Sequence, residues 1–224
     1  MPQSDLGLYY RFSPVLMRNA PKEAVDSWIR QPLLDPHKLV PAILHHQPRS
    51  PTQSPLSTNH AIRYLQHISP TSSSATIHNL LLTLLITSSS AASASKDLQS
   101  PTISAFPGSS QTPPEDLPLL RFLSNAPISP LTSKPYYDLD YALRLCKQYG
   151  RIRACVYIYA QMSMWEECID LALEMGELDL AKANCERAVE SGEIDGHAVD
   201  ESFKKKLWLK VARYVVHDKK DIKT

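Results

Sequence analysis

Along the second half of the chain, apolar residues recur at i, i+3, i+4 and i+7, the stripe of an amphipathic helix. The segment DLDYALRLCKQYG places Leu139, Ala142, Leu143, Cys146 and Tyr149 on one face. RIRACVYIYAQM does the same with Ile152, Cys155, Val156 and Tyr159, and MWEECIDLALEMG with Trp165, Cys168, Ile169 and Ala172. ELDLAKANCERAV carries Leu178, Ala181, Cys185, Ala188 and Val189, and KKKLWLKVARYVV carries Leu207, Trp208, Val211, Tyr214 and Val215. Helices this short are not stable alone, so each stripe is expected to be buried on its neighbours.

The breaks between these segments fit the same grammar. Gly150 and Gly176 each follow a helical run, where a left-handed cap residue is expected. Ser163 stands three residues before Glu166, the spacing of a capping box at a helix start. Sliding the sequence by 26 residues overlays Leu143 on Ile169, Leu145 on Leu171, Gly150 on Gly176 and Ile152 on Leu178. Self-similarity at a fixed period marks a stacked helical array. The predicted fold is all-α, an α-solenoid of stacked short helix pairs interrupted by Ser/Pro-rich insertions.

The first half is more punctuated. Residues 1–68 read as helical pairs of the same solenoid. LGLYYRFSPVLMRN (6–19) is an apolar helix-like run containing Pro14. PKEAVDSWIR follows, with Pro21 in its first turn and a buried face of Ala24, Val25, Trp28 and Ile29. Asp35 is the expected N-cap of a helix that Pro41 shortens or kinks. HAIRYLQHI (60–68) returns to helical period. Residues 69–76 read as a short loop insertion and 77–86 as a buried helix. Residues 87–116 hold almost no large apolar side chains and are expected to be disordered, because such a segment buries too little to offset its ordering entropy. Residues 117–216 form the main helical repeat, and 217–224 its truncated end.

Composition sharpens this division. All 18 prolines precede Tyr136 and all 4 cysteines follow it. The formal net charge of +1 gives no global electrostatic reason to bind nucleic acid. MPQSDLGLYY lacks a basic start followed by an apolar core, so no signal peptide is read there. The run Leu80 to Ile86 is far short of the ~20 apolar residues that span a bilayer. Cys146, Cys155, Cys168 and Cys185, spaced 9, 13 and 17 apart, do not pair as zinc ligands do and read as buried thiols.

Candidate chemistry is sparse. His45 and His46 end a helix, where the dipole favours histidine without a catalytic role. Glu166, Glu167 and Asp170 lie off the apolar stripe and read as a solvated face rather than an acidic pocket. Lys204, Lys205, Lys206, Lys210 and Arg213 offer contact with acidic lipid headgroups or an acidic partner; the polar side of an amphipathic helix is the preferred reading. Tyr157 is the better aromatic anchor for a partner, with Trp165 and Trp208 assigned to the core. Ser-Pro and Thr-Pro pairs at Ser54, Ser69, Ser100, Thr112 and Ser129 read as turn chemistry before kinase sites. No phosphate loop, GxSxG elbow or HExxH appears, and no catalytic, cofactor-binding or metal-binding residue is assigned. An enzyme is not expected.

The block YDLDYALRLCKQYGRIRACVYIYAQMSMWEECIDLALEMGELDLAKANC (137–185), followed by KKKLWLKVARYVV (204–216), resembles the vacuolar protein sorting-associated protein 18 family, the deep orange family, in its clathrin-heavy-chain-like central region. LMRNAPKEAVDSWI, LDPHKLVPAIL and IHNLLLTLL fall upstream in the family's order. The resemblance implies a scaffold segment of a HOPS/CORVET-type tethering subunit, acting in vesicle docking and fusion at endosome and vacuole or lysosome. It implies the other class C vacuolar protein sorting subunits as partners and a cytoplasmic, peripheral location with indirect membrane association. It implies no cofactor, nucleic acid or small-molecule substrate. The family's β-propeller and zinc-binding RING ends are not matched, so the chain reads as a fragment ending inside the solenoid. Another helical-repeat adaptor, clathrin-like or RNA-binding, is the alternative.

Overall fold

A computed structural model of the chain describes residues 4–45, 59–94, 116–194 and 201–218. Eleven helices and no strand lie among them. They are α1 (Ser4–Asn19), α2 (Pro21–Ile29), α3 (Pro36–Leu44), α4 (His60–Ile68), α5 (Ala75–Ala94), α6 (Leu117–Asn125), α7 (Leu139–Gln148), α8 (Ile152–Gln161), α9 (Trp165–Glu174), α10 (Leu178–Ile194) and α11 (Glu201–Asp218). A bridge between Ile128 and Pro135 closes the loop ahead of α7. The described residues fall into two compact units, one ending at Tyr141 and one beginning at Ala142.

In the first unit each helix packs on its sequence neighbour or on the next but one. Proline starts two of them as expected. Pro21 occupies the first turn of α2, and Pro36 that of α3, where a missing N–H costs nothing. Asp35 caps α3 by accepting from the His37 N–H at 3.0 Å, and its own N–H donates to the Tyr10 hydroxyl at 2.7 Å. Buried Asn59 caps α4 through the N–H groups of Ala61 and Ile62. The core here is Trp28, Leu39, Ile43, Tyr64, Leu65, Leu81, Leu82 and Leu85. Trp28 and Tyr64 meet edge to face, with ring centroids 5.4 Å apart.

Two boundaries are corrected in this unit: residues 75–76, read as the end of the loop insertion 69–76, and residues 87–94, read as the start of a disordered stretch, both belong to α5. α5 starts at Ala75 and runs to Ala94, so residues 87–94 are helical and not part of a disordered insertion. Composition misled because small residues there were weighed only as poor core formers; alanine is the best helix former, and no proline falls between Pro70 and Pro101. The hydroxyls also fold back on the helix: Thr83 Oγ1 donates to the Asn79 carbonyl and Thr87 Oγ1 to the Thr83 carbonyl. Residues 95–115, the bulk of the stretch read as disordered, lie outside the described residues, as does His46. Pro14 lies within α1, which is assigned as a single helix.

The second unit repeats one motif. After α7, α8 and α9 the chain turns through a left-handed residue: Gly150 at φ +65°, Ser163 at +58° and Gly176 at +73°. At each turn the following N–H reaches back five residues. Arg151 donates to the Cys146 carbonyl at 2.8 Å, Met164 to Tyr159 at 3.0 Å and Glu177 to Ala172 at 3.0 Å. The left-handed residue itself bonds three back, which completes a Schellman cap. The three caps stand 13 residues apart, so the 26-residue self-similarity is twice a 13-residue helix–turn unit. Ser163 is therefore the end of α8 and not part of a capping box; the cap position of α9 is Met164, which makes no side-chain cap bond.

Burial follows the same period. Ala142, Cys155, Cys168 and Ala181 form one buried series, and Cys146, Tyr159, Ala172 and Cys185 another. The small side chains among them let neighbouring helices approach closely. Ile152, assigned to the buried stripe of α8, is 45% exposed. It is the first residue of its helix, and α8 instead buries Ala154, Val156 and Ile158 as well.

Candidate functional site

Two features of the C-terminal unit that looked separate in the sequence prove to be halves of one arrangement. On α9, Glu166 and Asp170 are four residues apart and flank the buried Cys168 and Ile169. On α11, Lys206 and Lys210 are likewise four apart and flank buried Leu207. Residues at this spacing lie above one another on one helix face. Because α9 packs on α11, the two charged rows meet. Lys206 Nζ donates to Glu166 Oε1 at 2.6 Å, and Lys210 Nζ donates to Asp170 Oδ2 at 2.7 Å. Lys210 also lies 3.5 Å from Glu166 Oε2.

The seam is partly open to water, so each pair contributes on the order of 0.2–1 kcal/mol. Its direction is nevertheless legible in the titration. The hydrogen bond from Lys206 is the main influence holding the Glu166 carboxyl below its ordinary range. For Lys210 burial alone would lower the ammonium, but the bonds and charges of Asp170 and Glu166 outweigh it and raise it. The Lys206 and Lys210 ammonium groups are thus turned to this chain's own carboxylates.

Other sequence candidates separate cleanly. His45 ends α3 as an exposed cap residue. Glu167 is exposed. Tyr157 is half-buried and its hydroxyl accepts from Gln161 Nε2 at 3.2 Å. Trp165 is half-buried. Trp208, assigned to the core, is 40% exposed; Leu207 and Val211 supply the buried row of α11 and turn it outward. Of the Ser-Pro serines, Ser69 is buried at the end of α4 and the Ser129 N–H donates to the Lys134 carbonyl at 2.8 Å. Ser54, Ser100 and Thr112 lie outside the described residues. Among the described residues, no cluster of three or more His, Cys, Asp or Glu is gathered as metal ligands.

One buried polar group was not anticipated. His78 on α5 is fully buried, and its Nε2 bonds the Ser72 carbonyl at 2.8 Å, which makes Nε2 the protonated nitrogen. Its ring stacks near Phe122 and Tyr136, with centroids 6.2 and 5.7 Å away. It pins the turn before α5 to α6. In the sequence it was one histidine inside an apolar run, with no spacing signal.

Beside the charged seam lies a cleft of about 420 Å³. The end of α7 and the start of α8 form one wall, with Cys146, Lys147, Arg151 and Cys155; Glu167, Asp170, Leu171 and Glu174 of α9 form the other. The Lys147 ammonium lies 5.1 Å from the centre of the Tyr159 ring.

With stacking, caps and surface in place, comparison decides the family. Residues 1–216 match the family model described as VPS18, alpha-solenoid domain, second half. The chain belongs to the VPS18 family. It is 36% identical over 222 residues to the vacuolar protein sorting-associated protein 18 homolog of Danio rerio, covering 98% of this chain and 19% of that protein. Vacuolar sorting protein 18 of Arabidopsis thaliana is 32% identical over 220 residues, 96% of this chain and 18% of the relative. Vacuolar membrane protein pep3 of Schizosaccharomyces pombe is 29% identical over 210 residues, 93% of this chain and 19% of the relative. The chain thus spans about a fifth of the length of these VPS18-family relatives, and the all-α solenoid read from periodicity is the family's own fold.

Proposed function

We propose that the chain is a scaffold segment of a membrane-tethering subunit of the HOPS/CORVET type, acting in vesicle docking and fusion at endosome and vacuole or lysosome. It works by protein–protein contact through helix faces and carries out no catalysis. The observation that carries this reading is the match of residues 1–216 to the VPS18 solenoid, together with relatives named for vacuolar sorting. Its partners are the other class C vacuolar protein sorting subunits, and its place is the cytosolic face of the membrane, reached through them. No helix among the described residues is long and apolar enough to cross a membrane.

The surface supports contact of this kind. Leu8, Phe12, Val15 and Leu16 of α1 share one face by their spacing and are 38–55% exposed, an apolar stripe of the sort that protein partners cover. Co-precipitation from cells is the test. Tagged chain recovers the other class C subunits, and Phe12→Glu with Leu16→Glu lowers that recovery about tenfold while circular dichroism stays helical, a loss of roughly 1.4 kcal/mol. Recovery of none of those subunits by the unaltered chain overturns the proposal.

A further inference from the structure

Cys146 and Cys155 stand on either side of the Gly150 turn. Arg151 ties both backbones together: its N–H donates to the Cys146 carbonyl at 2.8 Å, and its carbonyl accepts from the Cys155 N–H at 3.0 Å. Both residues line the same 420 Å³ cleft, and the Cys146 side chain is the main influence on the Cys155 thiol. Lys147, exposed at the cleft's rim, brings a positive charge to Cys155. The other two cysteines are placed differently. Cys168 donates its S–H to the Val156 carbonyl at 3.4 Å, and neither it nor Cys185 lines the cleft. Burial pushes their thiols up, to about 12 and about 11. Cys155 moves the other way: the Cys146 side chain lowers it, burial opposes, and the Lys147 charge lowers it further. A thiol becomes reactive through its thiolate, and a cation and a donor beside it favour that form.

We propose that Cys146 and Cys155 form a reversible dithiol–disulfide site on the floor of this cleft, oxidised by a small hydroperoxide. The sulfurs belong to nearly buried residues, so a water-sized oxidant suits the site better than a bulky disulfide. The Cys155 thiolate attacks one peroxide oxygen; an S–O bond forms, the O–O bond breaks, and hydroxide leaves to take up a proton as water. The sulfur, oxidised by two electrons, is then a sulfenic acid. The Cys146 sulfur attacks it, forming the S–S bond and breaking S–O, while its proton departs with the hydroxyl as a second water. The peroxide is reduced to water and the dithiol is oxidised to a disulfide that clamps α7 to α8; an external dithiol reverses it.

The test treats the full chain with hydrogen peroxide and maps thiols by mass spectrometry after alkylation. A linked Cys146–Cys155 peptide is expected. Cys146→Ala stops the reaction at a sulfenic acid on Cys155, trapped by a cyclic diketone, and Cys155→Ala abolishes the linkage. Alanine suits position 155 because Ala142 and Ala181 hold the equivalent buried places. Lys147→Gln keeps both thiols and slows oxidation roughly three- to tenfold. Absence of the linked peptide, faster oxidation of Cys168 or Cys185, or an unchanged rate in Lys147→Gln overturns the proposal.

Discussion

Three residues at equivalent places show what a single side chain decides in this fold. Gly150, Ser163 and Gly176 adopt the same left-handed conformation, which costs a residue with a Cβ on the order of 1–2 kcal/mol and glycine almost nothing. A Cβ would meet nothing within 4 Å at Gly150 and only the Tyr214 hydroxyl, at 3.6 Å, at Gly176. The cost of substitution there is therefore conformational and not steric. Gly150→Ala and Gly176→Ala are each expected to destabilise by roughly 1 kcal/mol, a fall of about 2–4 °C in Tm. Ser163→Gly is expected to raise Tm by a smaller amount, because glycine's freer unfolded chain offsets part of the relief. Thermal melts of the three variants check this, and a fall in Ser163→Gly would contradict it. At this scale the sequence was half legible. The glycines announced their caps, but serine has no left-handed signature, and its place before Glu166 suggested a capping box. What marked it was the distance of 13 residues to each glycine.

At the scale of the helix, period revealed which face is buried but not which helix lies opposite. Cys168, Ile169 and Ala172 were assigned inward and are buried, as are Leu207 and Val211. Glu166 and Asp170 were assigned to solvent, and the lysines of α11 to an ordinary polar side. Both rows lie off the core, yet they face each other across 40 residues of sequence, a pairing that local pattern does not encode. Trp208 was misplaced for a related reason: a short apolar run fits two faces, and Leu207 and Val211 took the inner one. The seam makes a prediction of defined sign. The Glu166 carboxyl titrates lower in the folded chain than its ordinary value of 4.5, so its contribution is fully present above that value and is lost as pH falls through the folded one. Melting temperature should fall on acidification below about pH 4.5, and Glu166→Gln should fall less over the same window while starting lower at neutral pH. Equal pH profiles for the two proteins would show that Lys206 and Lys210 do not hold the carboxylate in solution.

For the whole molecule, the all-α class was legible because several independent helical stripes repeat, and a repeat has few architectures to choose from. The halving of the period was hidden because consecutive 13-residue units differ in sequence, while alternate units match better. The second unit spends its small residues, Ala142, Cys155, Cys168 and Ala181, on close helix contact, which leaves the outward faces free to vary for recognition. No catalytic constellation was read in the sequence, and the charged groups most suggestive of one are engaged with each other. What the sequence left dark was the surface: that α1 presents Leu8, Phe12, Val15 and Leu16 outward, and α11 Trp208 and Leu209, follows only once the inner faces are filled. On the function we propose, partner subunits cover such helix faces of this VPS18-family chain. Hydrogen-exchange mass spectrometry on the chain alone and on the chain assembled with the other class C subunits tests it most directly. The account predicts slower exchange on assembly at Ser4–Asn19, with α8 unchanged because most of its side chains are already buried within the chain. Assembly with no change in exchange at any helix of the chain would contradict it.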